Sequence, residues 1–276
     1  MTNVTMDETR VLELEGVHNF RDYGGYALAG GGRLRRGVLW RSGQHYGASA
    51  ADLVRIAALE LGAVFDLRST RERLSHPCAR PDGFAGRVFL SADEPANVQR
   101  VGASLPVVGG SGDGGSGSVR RDPVTMRENM RRSYEKIVFR PGLTAAIKVM
   151  LVELAAGKVV SLVNCMAGKD RTGIAVAMVQ RSVGVHRDDV MADYLLTNSA
   201  GDVAARIAAG AAAIGERGAD MSPEVMAVMM GVEAEYLDAA FAAVTAEYGS
   251  EDGYLAQVLG ADDGVRERLR EVLGEG

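Results

Sequence analysis

The chain has 276 residues, 47% of them hydrophobic and 24% charged, with a net charge of −5. That length and hydrophobicity suffice for a full core and exclude a disordered or collagen-like chain. The longest apolar runs, such as Val149–Ala156, fall far short of a bilayer span, and an acidic balance lacks the basic footprint of nonspecific nucleic-acid binding.

The N-terminus carries no basic region followed by an apolar one, so no secretory signal is expected. Cys78 and Cys165 lie far apart and read as reduced thiols of a cytoplasmic protein. With no Cys-x-x-Cys and scattered histidines at 18, 45, 76 and 186, neither a metal nor another cofactor is expected.

Residues 11–45 mix short apolar runs with Gly-Gly turns and predict short strands and hairpins, with a strand at Gly37–Trp40. Leu53, Ile56, Ala57 and Leu61 recur at helical spacing until Gly62. Ala63–Leu67 reads as a buried strand. Ser69 and Glu72 have capping-box spacing and open a short helix that ends at His76-Pro77. Arg87–Leu90 is a further strand. Residues 109–118 are almost all glycine and serine, which predicts a flexible surface loop, with a domain boundary as the alternative.

Asp122-Pro123 starts a helix whose apolar face holds Met126, Met130, Tyr134, Ile137 and Val138. A second helix ends near Ala156, with Gly157 as its stop. Lys158–Asn164 is the strongest strand signal, and Gly173–Val183 is apolar and helical. From Arg187 onward the pattern is helical, with an N-cap at Ser222-Pro223. Strands alternating with helices and then a helical tail predict an α/β fold with a mostly parallel sheet flanked by helices. We expect one domain over residues 1–276. The methionines at 221, 226, 229 and 230 suit core packing or a pliable helical lid within residues 200–260.

The chemistry concentrates in Asn164-Cys-Met-Ala-Gly-Lys-Asp-Arg-Thr-Gly173, between the strongest strand and an apolar helix. Such a loop directs backbone N–H groups and a positive helix end toward one point. A cysteine with an arginine six residues on frames a phosphate-sized cradle: thiol at the bottom, amides around the oxyanion, guanidinium forked onto two oxygens. The same field favours a thiolate, and Thr172 is placed to donate a hydrogen bond to the sulfur. A Walker A loop is excluded because Asp170, not Ser or Thr, follows Lys169.

The segment Cys165 to Gly173 resembles the signature loop of cysteine-based protein tyrosine phosphatases. More narrowly, it is similar to the bacterial and fungal branch whose loop reads Cys-x-Ala-Gly-Lys-Asp-Arg-Thr-Gly. Asn19-Phe-Arg-Asp-Tyr-Gly-Gly25, Leu39-Trp-Arg-Ser-Gly43, Val64-Phe-Asp-Leu-Arg-Ser69 and Asp193-Tyr-Leu-Leu-Thr-Asn198 also resemble motifs of that branch, so the likeness spans residues 14–260. It implies a phosphatase-like fold and a metal-independent phosphomonoester hydrolase with Cys165 as a nucleophile that forms a phosphocysteine. Arg171 would bind the phosphate, together with the loop positions Met166, Ala167, Gly168, Lys169 and Thr172.

Asp170 matches the loop aspartate proposed as general acid in the branch. The residues alone leave it open as an ion-pair partner, with Asp66 and Asp93 as the other candidate acids. Lys169 would add charge at the mouth, suiting multiply phosphorylated substrates, or else be solvated. The substrates implied are proteins phosphorylated on tyrosine, with proteins phosphorylated on serine or threonine and phosphoinositides as the further candidates. One mycobacterial member of the branch acts outside its cell, which keeps leaderless export open.

One position departs from the pattern: Asn164 stands where the branch has histidine. It is the one feature that favours the alternative of a phosphate-binding pseudophosphatase without efficient turnover. A thiol redox protein using Cys165 and Cys78 is a third class. Tyr23, Tyr26 and Tyr46 are candidates for an aromatic pocket, or for ordinary packing.

Overall fold

The apolar runs of the chain become the strands of a five-stranded sheet in the computed structural model, which describes residues 10–94, 122–157, 159–215 and 221–276. In chain order the strands are β1 (Arg21–Asp22), β2 (Arg33–Leu34), β3 (Leu39–Ser42), β4 (Ala63–Asp66), β5 (Arg87–Leu90), β6 (Ser161–Asn164) and β7 (Gly274–Glu275). The main sheet runs β1-β3-β6-β4-β5; β1 pairs antiparallel with β3 and every other pairing is parallel. A separate ribbon joins β2 to β7, so the last residues return to the N-terminal hairpin, a pairing with no signal in the sequence.

The helices are α1 (Ala50–Ala57), α2 (Thr70–Ser75), α3 (Pro123–Ile137), α4 (Pro141–Ala156), α5 (Asp170–Val183) and α6 (Arg187–Leu195). They continue as α7 (Val203–Gly215), α8 (Pro223–Met230), α9 (Ala234–Tyr248), α10 (Glu251–Gln257) and α11 (Asp263–Leu273). Among the described residues, no helix is long and apolar enough to cross a membrane. The glycine-rich stretch 109–118 and Lys158 lie outside the described residues.

Strand alternation sorts the core. Val64 and Leu162 join Val17, Phe20, Ile56 and Leu61 on the face covered by α1, whereas Phe65 and Val163 join the larger cluster containing α3, α4 and α5. Both faces of the central strands are therefore buried, as a parallel sheet requires.

Several expected boundaries move, each for a local reason. The first long strand begins at Leu39 because Gly37 adopts a left-handed backbone and its N–H is held by Asp22 at 2.7 Å. Helix α1 stops at Ala57, before Leu61, because Glu60 turns left-handed (φ 52°). Helix α5 begins at Asp170, so the end of the signature string already lies in its first turn. The capping box on Ser69 and the Asp122-Pro123 start are found where expected.

Candidate active site

Register brings the site together. Ser42, Asn164 and Asp66 are paired across β3, β6 and β4, so Cys165 emerges at the carboxyl end of the central strand, between the segments that follow its neighbours. Ligand sites of parallel sheets form at this edge. The thiol is buried, and the loop from Met166 to Lys169 leads into α5.

The carbonyls of the loop are tied outward. Met166 O accepts from the Gln44 amide at 3.0 Å, and Lys169 O from the Gly173 amide at 2.7 Å. Gly168 O accepts from Asn19 Nδ2 at 2.8 Å and from Arg41 Nη2 at 3.1 Å. In a planar trans peptide the C=O and the next N–H point in opposite directions. The amides of Ala167, Lys169 and Asp170 are thereby turned away from these anchors. Among the described residues, no amide from Met166 to Arg171 donates to a protein acceptor. Gly168 itself must be glycine: its φ is +68°, and a Cβ would lie 2.5 Å from the backbone of Ser42 and Gly43.

Behind the loop lies a buried ion cluster. Asp193 of α6 accepts from Arg41 Nη1 at 2.6 Å and lies 3.5 Å from Arg21 Nε; all three side chains are shut off from solvent. Arg21 also donates to Asn19 Oδ1, to Asp193 O at 2.9 Å and to Thr197 Oγ1 at 3.3 Å. Burial and the neighbouring Arg41 bring Arg21 down to about 9, against the pull of Asp193. Burial pushes the Asp193 carboxyl up, but Arg21 and Arg41 outweigh it and hold it low.

Arg171 points the other way, to α2. Its Nη1 donates to Leu67 O at 3.0 Å and Glu72 Oε2 at 2.7 Å, and its Nη2 to Glu72 Oε1 at 2.8 Å. Glu72 is also the third helical residue of the Ser69 capping box, accepting from the Ser69 amide at 2.8 Å. Burial acts to raise the Glu72 carboxyl, yet the two bonds from Arg171 prevail and bring it down to about 2. Burial likewise opposes the charge on Arg171, but Glu72 and then Cys165 keep the guanidinium firmly protonated.

Asp170, half-buried at the start of α5, accepts from the Tyr134 hydroxyl at 2.7 Å. Lys169 stands elsewhere than the sequence suggested. It neither reaches the mouth nor sits in solvent: its buried Nζ donates to Met229 O and to Gly231 O at 2.9 Å, and lies 3.5 Å from Asp170 Oδ1. The free carbonyls ending α8 attract a cation more strongly than an open mouth would. The hydrogen bond expected from Thr172 to the sulfur is not made. Its Oγ1 is fully buried, without a partner among the described residues, and so is Nδ2 of Asn164.

Asp66 is engaged by Arg68 through two bonds of 2.9 and 2.7 Å, and Asp93 accepts from the Thr70 amide at 2.7 Å. Cys78 and Cys165 are both free thiols, and Cys78 Sγ accepts from the His45 amide at 3.2 Å. Tyr23 is core, Tyr26 carries Arg10 over its ring at 4.4 Å, and exposed Tyr46 meets His76 edge-on at 5.3 Å.

Residues 12–275 match the model of the tyrosine phosphatase family. The chain belongs to that family. It is 35% identical over 282 residues to the triple specificity protein phosphatase PtpB of Mycobacterium tuberculosis, covering 95% of this chain and 99% of that protein. It is also 35% identical over 251 residues to a Cupriavidus necator protein provisionally named a tyrosine-protein phosphatase, covering 91% and 85% respectively.

Within this tyrosine phosphatase, three of the four scattered motifs turn out to be parts of one support. Asn19, Arg21, Arg41 and Asp193 come from three of them and meet beneath Gly168. A charged residue inside a buried strand, such as Arg41, is a sequence signal for such a partnership. Glu72 and Tyr134 give no such signal, since capping and an apolar helix face account for them fully.

Proposed function

We propose that this phosphatase hydrolyses phosphomonoesters in two steps through Cys165. The thiolate attacks phosphorus, the ester P–O bond breaks, and Asp170 gives its proton to the leaving oxygen. Water then attacks the phosphocysteine, Asp170 takes a proton from it, and the sulfur departs with inorganic phosphate released. Arg171 and the amides from Met166 to Arg171 hold the equatorial oxygens as charge redistributes. Thr172, whose buried hydroxyl has no acceptor among the described residues, is suited to bond the sulfur as it becomes a leaving group.

One observation carries this reading: loop carbonyls drawn outward onto Gln44, Asn19, Arg41 and Gly173 while, among the described residues, nothing engages the amides. Cys165→Ser should abolish turnover of an aryl phosphate in EDTA yet bind vanadate nearly as well as wild type. Retained hydrolysis in that variant would remove Cys165 from this role.

We assign protein phosphotyrosine as the primary substrate. The words triple specificity in the name of the Mycobacterium protein support more than one substrate class, and we extend the reading to phosphoserine, phosphothreonine and phosphoinositides. Lys169 lends that extension no support, because its charge is spent on α8. A panel of phosphotyrosine peptide, phosphoserine peptide and phosphoinositide at matched concentration decides the order. We further propose action in the reducing cytoplasm, where cysteines such as Cys78 and Cys165 stay as thiols. The amide of Asn164, without a partner among the described residues, favours one second reading, a phosphate-binding module with weak turnover.

A further inference from the structure

Two buried phenols converge on the carboxylate of Asp170. Tyr134 comes from α3 and Tyr194 from α6, and both side chains are fully enclosed. Tyr194 OH lies 2.8 Å from Tyr134 OH, which lies 2.7 Å from Asp170 Oδ1. Whether the carboxyl is ionised or carries its proton on Oδ2, Oδ1 can only accept, so the single proton of Tyr134 is committed to it and the Tyr134 oxygen is left to accept from Tyr194. A directed chain of this kind polarises along its length. Burial, followed by the nearby Asp170 charge, holds the Tyr134 hydroxyl well above the usual phenol range, so it stays a donor. Burial does the same to Tyr194.

The chain engages one oxygen of the pair. Oδ1 takes the Tyr134 bond and faces Lys169 Nζ at 3.5 Å, while Oδ2 makes no hydrogen bond among the described residues. Phenylalanine would fill both tyrosine positions equally well in an apolar core, and a buried hydroxyl is costly unless it is partnered.

We propose that Tyr134, backed by Tyr194, is a positioning residue for proton transfer: it anchors Oδ1 of Asp170 so that Oδ2 exchanges the proton with leaving group and water. This rests on the reading of Asp170 as general acid. The anchored Oδ1 stops the carboxyl from rotating, and the donated bond stabilises the carboxylate left after the proton has moved.

The test compares phenyl phosphate, whose leaving group needs a proton, with a nitrophenyl ester, whose leaving group does not. Tyr134→Phe should lower kcat on phenyl phosphate about tenfold, the worth of a hydrogen bond to a charged group. The nitrophenyl ester, KM and vanadate inhibition should change little. Tyr194→Phe should give the same pattern with a smaller loss, and it decides the matter if Tyr134→Phe does not fold. In an Asp170→Asn background, Tyr134→Phe should cost nothing further. Equal losses on both esters, or a full additional loss in that background, would overturn the positioning role. If Asp170→Asn alone slows both esters equally, the general-acid reading fails, and the role of Tyr134 fails with it. If Asp170→Asn discriminates between the esters and neither tyrosine variant does, only the positioning role is lost.

Discussion

Two arginine–carboxylate pairings grip the same loop, and they differ in their contact with water. Behind Gly168, Arg41 and Arg21 share Asp193, with side-chain exposures of 0%, 0% and 1%. In front, Arg171 pairs with Glu72 at exposures of 14% and 19%. Water and a charged substrate do not reach the first pairing, so its arginines serve only to hold the loop's shape. The second pairing borders solvent, and among the described residues nothing accepts from Arg171 Nε, so its fork has donors for an oxyanion while Glu72 fixes its plane. In the proposed mechanism one arginine type thus does two jobs on one loop, and burial tells them apart.

The largest expected effect comes from breaking the rear pairing. Asp193→Ala strands two guanidinium groups without their carboxylate, and breaking a buried pair from one side costs about 3–5 kcal/mol. Urea unfolding should show that loss, with activity falling because the variant is partly unfolded. A loss below about 1 kcal/mol would mean that water enters behind the loop and the contrast between the two pairings is false.

The front pairing should respond in the opposite sense. Glu72→Gln keeps an acceptor for the Ser69 amide, so α2 stays capped. It removes the charge that orients Arg171, so vanadate affinity and kcat/KM should fall about tenfold while the fold persists. Acid sharpens the comparison. The Glu72 carboxyl drops from 4.5 to about 2 on folding, because Arg171 outweighs the opposing effect of burial. A group lowered in this way contributes stability above pH 4.5 that fades as pH falls toward 2. Between pH 6 and pH 3 the wild type should therefore lose more Tm than Glu72→Gln. Parallel losses would place the coupling elsewhere, with buried Asp193 as the next carboxylate to examine.

The same contrast explains what could be read from the sequence. Local signals were legible wherever neighbours in the chain decide the outcome. Ser69 and Glu72 announce their capping box, Asp122-Pro123 its helix, and the spacing of Cys165 and Arg171 a turn from strand to helix. Partnerships across long stretches of chain were not. That Glu72 would clamp a residue 99 positions away follows from β4 lying beside β6, and strand order leaves no periodic trace. Lys169 misled for a similar reason: its neighbours suggest a charged mouth, but the end of α8, 60 residues on, supplies better acceptors. The return of Gly274 and Glu275 to pair with β2 was equally silent, since two residues are too few to show alternation.

The smallest effect concerns Asn164, fully buried between Ser42 and Asp66 at the ends of the neighbouring strands. Its Nδ2 has no partner among the described residues, so the asparagine does not supply the hydrogen bond a histidine there would give the loop. Asn164→His adds a longer ring with a donor able to reach the loop, and overfilling a packed position costs about 1–3 kcal/mol. We therefore expect a lower Tm together with faster iodoacetate alkylation of Cys165 at mildly acidic pH. One new hydrogen bond favouring the thiolate is worth between about two- and tenfold. Cys78 interferes little, because burial raises its thiol and keeps it slow to react. If turnover at that pH rises with alkylation, the site is a working phosphatase tuned weakly at one position. If alkylation rises and turnover does not, the chain holds phosphate better than it hydrolyses esters. If alkylation is unchanged, asparagine already serves where histidine would, and the pseudophosphatase reading loses its one support.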